Sequence, residues 1–444
     1  MSWILRYRIR KWLRSSLYAL PIASMAAAML ASPGIRMLDQ QTHWMLLGYG
    51  ADGARAVVGA LSASILSLLV FSFSILLLAA QVAGGQLSPR IVERIFEAPV
   101  IKVALSSFVF SFVYSLAALG RVESRVPQLD ILIVVLTSCF SIALFLYVIQ
   151  GASKSFRPVV MLSQVAADTR RVIDRLYPHA LSSAEPGHQA EGALAQPTTR
   201  RVPHAGPLGT VLAIDAAGLV GIASRADCVI EFVPQVGDFL AIGDELFRIR
   251  GGTPDGPDES ALRNCVAIGP ERMLDQDPAF GFRIIVDIAI KALSPAINDP
   301  TTGALSVDQL DHLLHLLGGR QLGSGLARDS AGEPRLLYRT PDWDDFVTLA
   351  VTEIRLCGAT SPQVTRRLQR MFEHLLEVVP ADRTAALRKE KALLAATTEN
   401  SYTNSGDRAL ARVPDVQGFG SRQIRAAVSD HSPCASRTAF DASV

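Results

Sequence analysis

Lysine is scarce in this chain. Lys11, Lys102, Lys154, Lys291, Lys389 and Lys391 are all it has, so nearly every cation is an arginine. No lysine stands in the glycine-rich hairpin around Val236–Leu246, which excludes a lipoyl or biotinyl carrier. No Walker A motif, no G-x-S-x-G elbow and no H-E-x-x-H helix occurs anywhere, so the common phosphate-loop, serine-hydrolase and zinc-protease chemistries have no signature here. The five cysteines, Cys139, Cys228, Cys265, Cys357 and Cys434, form no C-x-x-C pair. That pattern fits reduced structural thiols in a cytosolic body, not a zinc site or a disulfide framework. A formal net charge of +2 supplies no bulk field, and nucleic acid is not an expected partner.

What is abundant is apolar, and it is unevenly placed. The hydrophobic fraction is 49%, crowded before Gln150, while the charges follow it. About 20 apolar residues cross a bilayer as a helix, because each residue rises ~1.5 Å across ~30 Å of hydrocarbon. The runs Leu17–Ala31, Ala56–Ala80, Val103–Gly120 and Leu129–Ile149 are the expected spans. They are read as free of buried ionisable groups, which counts against a proton relay or pump. Hydroxyls are frequent instead. Ser64, Ser67 and Ser74 mark the second span, Ser107, Ser111 and Ser115 repeat every fourth residue on the third, and Thr137, Ser138 and Ser141 sit on the fourth. Close helix packing through small residues explains such rows; a polar seam lining a pore in an oligomer is the sharper alternative.

Flanking cations set the expected orientation. Arg6, Arg8, Arg10, Lys11 and Arg14 precede the first span, Arg90, Arg94 and Lys102 separate the second from the third, and Lys154, Arg157, Arg170, Arg171 and Arg175 follow the fourth. The opposite side has only Arg36, Arg55, Arg121 and Arg125, offset by Asp39, Asp52 and Glu123. Both termini are therefore expected in the cytoplasm. If the first span were a cleaved signal peptide, the carboxyl-terminal body would still lie inside.

The expected fold class is a multi-pass α-helical membrane domain followed by a cytoplasmic α+β region, a small β-barrel-like module plus a helical domain. The domains are 1–150 transmembrane, 151–205 juxtamembrane helix and flexible linker, 206–252 the β module, 253–396 helical and 397–444 a disordered tail. Short β runs at Thr210–Ile214, Val229–Val233, Phe239–Ala241 and Leu246–Ile249 are punctuated by two Gly-Asp turns, Gly237-Asp238 and Gly243-Asp244. Apolar periodicity then predicts helices around Phe282–Leu293 and Leu305–Leu317, with others over Asp342–Cys357 and Pro362–Val379 and a last one capped by Asp382.

The run Gln276-Asp277-Pro278-Ala279-Phe280-Gly281 and the run Ser294-Pro295-Ala296-Ile297-Asn298-Asp299-Pro300-Thr301-Thr302 resemble the bacterial membrane proteins grouped as domain of unknown function 2254. Ala51-Asp52-Gly53-Ala54-Arg55, Gln86-Leu87-Ser88-Pro89-Arg90, Val236-Gly237-Asp238-Phe239 and Ser361-Pro362-Gln363-Val364 extend the resemblance over about residues 10 to 395. The resemblance implies an inner-membrane location and this order of domains. It implies no activity.

Asp277, Asp287, Ser294, Asn298 and Asp299 form a candidate functional junction, a polar pocket or an oxygen-ligand metal site. The plainer reading is structural: Arg283, Asp287 and Lys291 make an i, i+4 ladder, and Asp299 caps a helix opened by Pro300. Asp308, Asp311, His312 and His315 have metal-like spacing, but also that of surface i, i+4 pairs. Gly48–Gly53 matches G-x-G-x-x-G without the βαβ context that nucleotide binding needs. No cofactor is expected. The functional expectation is a non-enzymatic, oligomeric inner-membrane protein whose cytoplasmic domains bind a small molecule or ion and act on the bundle. A channel or regulated-permeation role leads, a scaffold or envelope-maintenance protein without a pore follows, and an enzyme using Asp277, Asn298 and Asp299 is third. Topology is directly measurable. Reporter fusions at Gly34, Gly84, Arg125 and Ser182 are expected to read outside, inside, outside and inside; a periplasmic signal at Ser182 overturns the arrangement.

Overall fold

In hydrocarbon, a chain satisfies its own amides only as helix or closed barrel, and the apolar first third is helical in its described part apart from short connections. The computed structural model describes residues 2–42, 48–86, 96, 98–122, 126–155, 157–181, 197–252, 256–323 and 325–417. Arg90, Arg94, Glu123 and Arg125, most of the Gln86–Arg90 motif, the linker from 182 to 196 and the tail after 417 lie outside the described residues.

A short helix α1 (Trp3–Ser15) precedes α2 (Ala19–Thr42), α3 (Ala51–Gln86), α4 (Pro99–Leu119) and α5 (Gln128–Ser155). The last four are long and apolar enough to cross a membrane. α2 extends beyond the expected end at Ala31 and carries Pro33 inside it. α4 packs against α2, α3 and α5. It is the most enclosed of them, with 44% of its apolar window buried against 12% for α2 and 22% for α3 and α5. Leu66, Val70, Phe71, Leu77 and Leu78 of α3 and Leu136, Phe140 and Leu146 of α5 face outward, a surface suited to an apolar solvent.

Pro158 opens α6 (Pro158–Leu176), where its missing N–H costs nothing. The chain then builds sheets. β1 (Thr198–Pro203), β5 (Glu245–Gly251), β3 (Cys228–Gln235), β8 (Pro334–Arg339) and β7 (Leu326–Arg328) lie in that order in a five-stranded sheet. β4 (Phe239–Leu240), β2 (Gly209–Ile214) and β6 (Val266–Gly269) form a three-stranded one. Two short helices, α7 (Ala216–Arg225) and α8 (Glu259–Arg263), close the layer between them. Val211 and Ile214 of the small sheet, Phe232 and Phe247 of the large one, Leu219 of α7 and Leu262 of α8 share one core.

Among the described residues the strands form two separate sheets and no closed barrel, where a barrel-like module was expected. The module also reaches beyond 206–252. β1 takes residues from the expected linker, its Val202 fully buried against β5. β8 arrives from within the expected helical domain and pairs in parallel with β3, Ile230 opposite Leu336. The two Gly-Asp turns are as the sequence suggests. Gly237 and Gly243 have φ of 98° and 93°, where a Cβ is strained. Asp238 and Asp244 accept from the amides of Gln235 and Ala241 at 2.8 and 2.7 Å.

The helical part consists of α9 (Pro278–Ala292), α10 (Pro300–Gly318), α11 (Trp343–Cys357), α12 (Pro362–Val378), α13 (Thr384–Ser401) and α14 (Ser405–Ala411). α9 packs on α6, α10 and α11. Asp382 does not cap α13. It lies in a 3-10 turn, Ala381–Arg383, ahead of the helix. Nor does order stop at Thr397. α13 continues to Ser401, α14 follows, and Asp415 is fully buried. Fully buried Arg366 of α12 holds this segment by donating from Nε to the Val413 carbonyl at 2.9 Å, while Arg367 donates to the carbonyls of Asp415 and Val416 at 2.8 Å each.

A single apolar cluster joins the bundle to the body, from Ile65, Leu76 and Ala83 of α3 and Leu105 and Phe108 of α4 to Leu162 of α6 and Ile285 of α9. One close crossing in it is between α6 and α9. A Cβ on Gly281 would stand 2.0 Å from the Thr169 hydroxyl oxygen, and Thr169 is fully buried. Gly281→Ala must push the helices apart and is expected to cost about 1–3 kcal/mol, the range for overpacking a filled interior. A thermal unfolding midpoint unchanged in detergent would show that the crossing has slack.

Candidate functional site

The expected junction divides into two places. Asp277 caps α9 by accepting from the Phe280 amide at 3.0 Å, and its other oxygen pairs with Arg272. Asp299 caps α10 at the far end of α9. Fifteen helical residues separate them, a span of roughly 20 Å at the α-helical rise, so these two carboxylates do not converge.

The Asp277 end is a hub. Gln276 pairs with Ile214 as a strand residue would, its Oε1 accepting from the amide at 3.0 Å and its Nε2 donating to the carbonyl at 3.1 Å. Tyr7 of α1 donates to Asp275 at 3.1 Å. Arg272 lies over the Phe280 ring at 5.9 Å and fills the space beside Gly237. Three consecutive residues of one loop, Asp275 to Asp277, thus reach the amino-terminal helix, the small sheet and α9. Burial pushes the Asp277 carboxyl up, against the opposing pull of Arg272 and the Phe280 amide. Burial and the Asp275 charge push the Tyr7 phenol up, so it stays a donor.

At the other end Asn298 is exposed with φ of 49°, a conformation asparagine tolerates better than most residues. Ser294 donates to the Lys291 carbonyl at 2.6 Å. Asp287 pairs with Arg283 at 2.6 Å, and Arg283 also reaches Glu353 on α11. Lys291 donates to the carbonyl of Gly84 at 2.8 Å, a bond from the body to the last turn of α3. Asp277, Asp287, Ser294 and Asp299 are thus occupied in local structure or in tying elements together.

The two aspartates of α10 also look across, not along, their helix. Asp308 pairs with Arg367, and Asp311 with His374 Nδ1 at 2.8 Å, both on α12. Burial pushes both carboxyls up. Among the described residues no group of three His, Cys, Asp or Glu is placed to hold a metal. Cys228 and Cys265 are buried, and burial pushes the Cys265 thiol up to about 11.

In the bundle the hydroxyls meet one another. Ser62 donates to Ser115 at 2.8 Å, and Ser141 lies 3.0 Å from both Ser107 and Ser111. Ser138 is buried on α5. Ser64, Ser67 and Ser74 are exposed, each bonded to the carbonyl four residues back. Ser62, not Ser64, is therefore the α3 member of the inner seam.

A polar latch that the apolar reading of the spans missed closes one end of the bundle. Asp130, fully buried near the start of α5, accepts from Tyr114 at 2.5 Å and from Arg121 at 3.5 Å. Arg121 also donates to the Ser32 carbonyl at 2.9 Å and touches its hydroxyl. Asp39 accepts from the Leu129 amide at 2.9 Å, and Arg55 donates to the Val122 carbonyl at 3.0 Å. Asp130 and Lys102 both lie on membrane-length helices and are both buried, which corrects the expectation of charge-free spans. The signal was present in Asp130 itself, which stands inside the fourth apolar run.

The family described as predicted membrane protein (DUF2254) matches residues 14–374. An uncharacterized protein of Mycobacterium tuberculosis is 28% identical over 422 residues, covering 91% of this chain and 80% of the relative. An uncharacterized protein of Mycobacterium bovis has the same identity and coverage. No solved structure matches the chain.

The Asp299 cap gives a direct measurement. Asp299 accepts from the Thr302 amide at 3.0 Å and its hydroxyl at 2.5 Å. Asp299→Ala is expected to cost about 0.5–2 kcal/mol, and Asp299→Asn, which keeps an acceptor, much less. Equal losses in the two variants would mean that the charge, not the cap, matters.

Proposed function

The chain belongs to the predicted membrane protein family DUF2254, and from that premise we propose that it is a membrane-anchored scaffold of the bacterial inner membrane, with no pore through its own bundle and no catalytic chemistry. The observation that carries this reading is the pairing of the hydroxyl seam inside one chain, Ser62 with Ser115 and Ser141 with Ser107 and Ser111. A pore lining offers hydroxyls to water. Here they bond across packed helices, as small polar residues do in membranes. The continuous apolar cluster from α3 and α4 into α6 and α9, with the Lys291 bond to Gly84, supports a body held rigidly to its anchor.

Regulated permeation, first from sequence alone, becomes the second reading. The exposed row of Ser64, Ser67 and Ser74 favours it, since several copies around an axis would bring such rows together. Either reading takes the lipid bilayer, other copies and a small molecule or ion as partners. Packing of α1 beside β2 and β6 supports a reading in which the amino terminus and the body lie on one side. That agrees with an even number of crossings, and the cation bias supports the cytoplasm as that side.

Single cysteines at Ser107, Ser111 and Ser115, in a background without native cysteines, are expected to resist a small charged thiol reagent. Cysteines at Val109 and Val113 should resist it equally, and reconstituted bilayers should show no conductance. Reaction at the serine positions alone, with conductance, would reverse the order of the two readings.

A further inference from the structure

Helix α1 presents two unlike faces. Trp3 and Tyr7, one turn apart, stack with ring centroids 5.4 Å apart. They pack on Leu212, Ala213, Ala267 and Met273 at the small sheet. On the other side, Leu5, Ile9, Trp12 and Leu13 fall within about 100° of arc at helical spacing. These four are exposed at 44%, 39%, 56% and 54%. Arg6 and Arg8, also exposed, flank that stripe on its two edges, and exposed Arg10 lies beyond Arg6 toward Trp3. α2 begins at Ala19, only a few residues on, and Tyr18 at its threshold is exposed as well.

A large apolar stripe edged by arginines is poorly suited to water. It suits the boundary between acyl chains and anionic headgroups, where apolar side chains enter and cations meet phosphate. The covalent join to a membrane-length helix keeps that boundary within reach, and the arginines supply the charge complement.

We propose that α1 is an interfacial helix that lays Leu5, Ile9, Trp12 and Leu13 into an anionic lipid surface, pairs Arg6, Arg8 and Arg10 with its phosphates, and seats the small sheet on the membrane through Trp3 and Tyr7. The position of the sheet then follows the charge of the lipid. This holds whether or not the oligomer contains a pore.

The test uses the full chain without native cysteines, with Ile9→Cys labelled by an environment-sensitive fluorophore. It is reconstituted in vesicles of phosphatidylcholine alone or mixed with phosphatidylglycerol. Emission is expected to shift to the blue when phosphatidylglycerol is present and to be quenched by brominated acyl chains. Raised salt should remove most of the shift, as should Arg6→Gln, Arg8→Gln and Arg10→Gln combined. The salt arm leaves every residue in place, so a folding defect of the triple variant cannot imitate the result. Identical emission in both lipids, or a shift that survives both salt and the triple variant, overturns the proposal. A shift that vanishes when the protein is diluted in lipid also overturns it, in favour of contact between copies.

Discussion

Burial of α9 is the constraint on which the rest of the molecule depends. Eleven of its fifteen residues are buried, so it needs neighbours on nearly every side. α6 comes from the membrane side, α10 follows directly in the chain, and α11 covers a third flank with Phe346 tilted on Phe282 at 5.2 Å. Burying a large apolar side chain is worth about 1.5–3 kcal/mol, so a helix this enclosed sets the positions of its partners. Gly281 is what lets α6 come as close as it does.

The two ends of α9 explain how the body meets the anchor. At its start, the loop Asp275–Asp277 binds the amino-terminal helix, the small sheet and α9 itself. At its end, Lys291 reaches the last turn of α3. Among the described residues the small sheet is thus linked to α9, and α9 to α3, by direct hydrogen bonds. This favours a protein whose parts hold one another in place.

Within the bundle the same physics acts on polar groups. Lipid offers hydroxyls and carboxylates no partner, so each must find one in protein. The inward-facing serines solve this with one another between α3, α4 and α5, and the outward-facing ones of α3 with their own backbone. Asp130 solves it with Tyr114 and Arg121, and the Arg121 contact to Ser32 extends the solution to α2. Buried and bonded in this way, the latch specifies which helices are neighbours.

Much of this was legible in order along the chain. Apolar length determined the membrane helices, because a span is a local property of some twenty residues. The Asp299-Pro300 start and the two Gly-Asp turns were local too, since a cap or a turn closes within four residues. What lay beyond the sequence depended on partners far along it. β8 joins β3 about a hundred residues after it, and the segment through Asp415 is held by Arg366 and Arg367 of α12. Spacing placed Ser64, Ser67 and Ser74 in a row, but only packing decided that Ser62 faces inward and they do not. The sequence by itself determined the elements, because helix, cap and turn are short-range balances of backbone hydrogen bonds and side-chain shape. Only the tertiary structure decided which polar groups are satisfied by which, because that is a long-range matter of what each face is packed against.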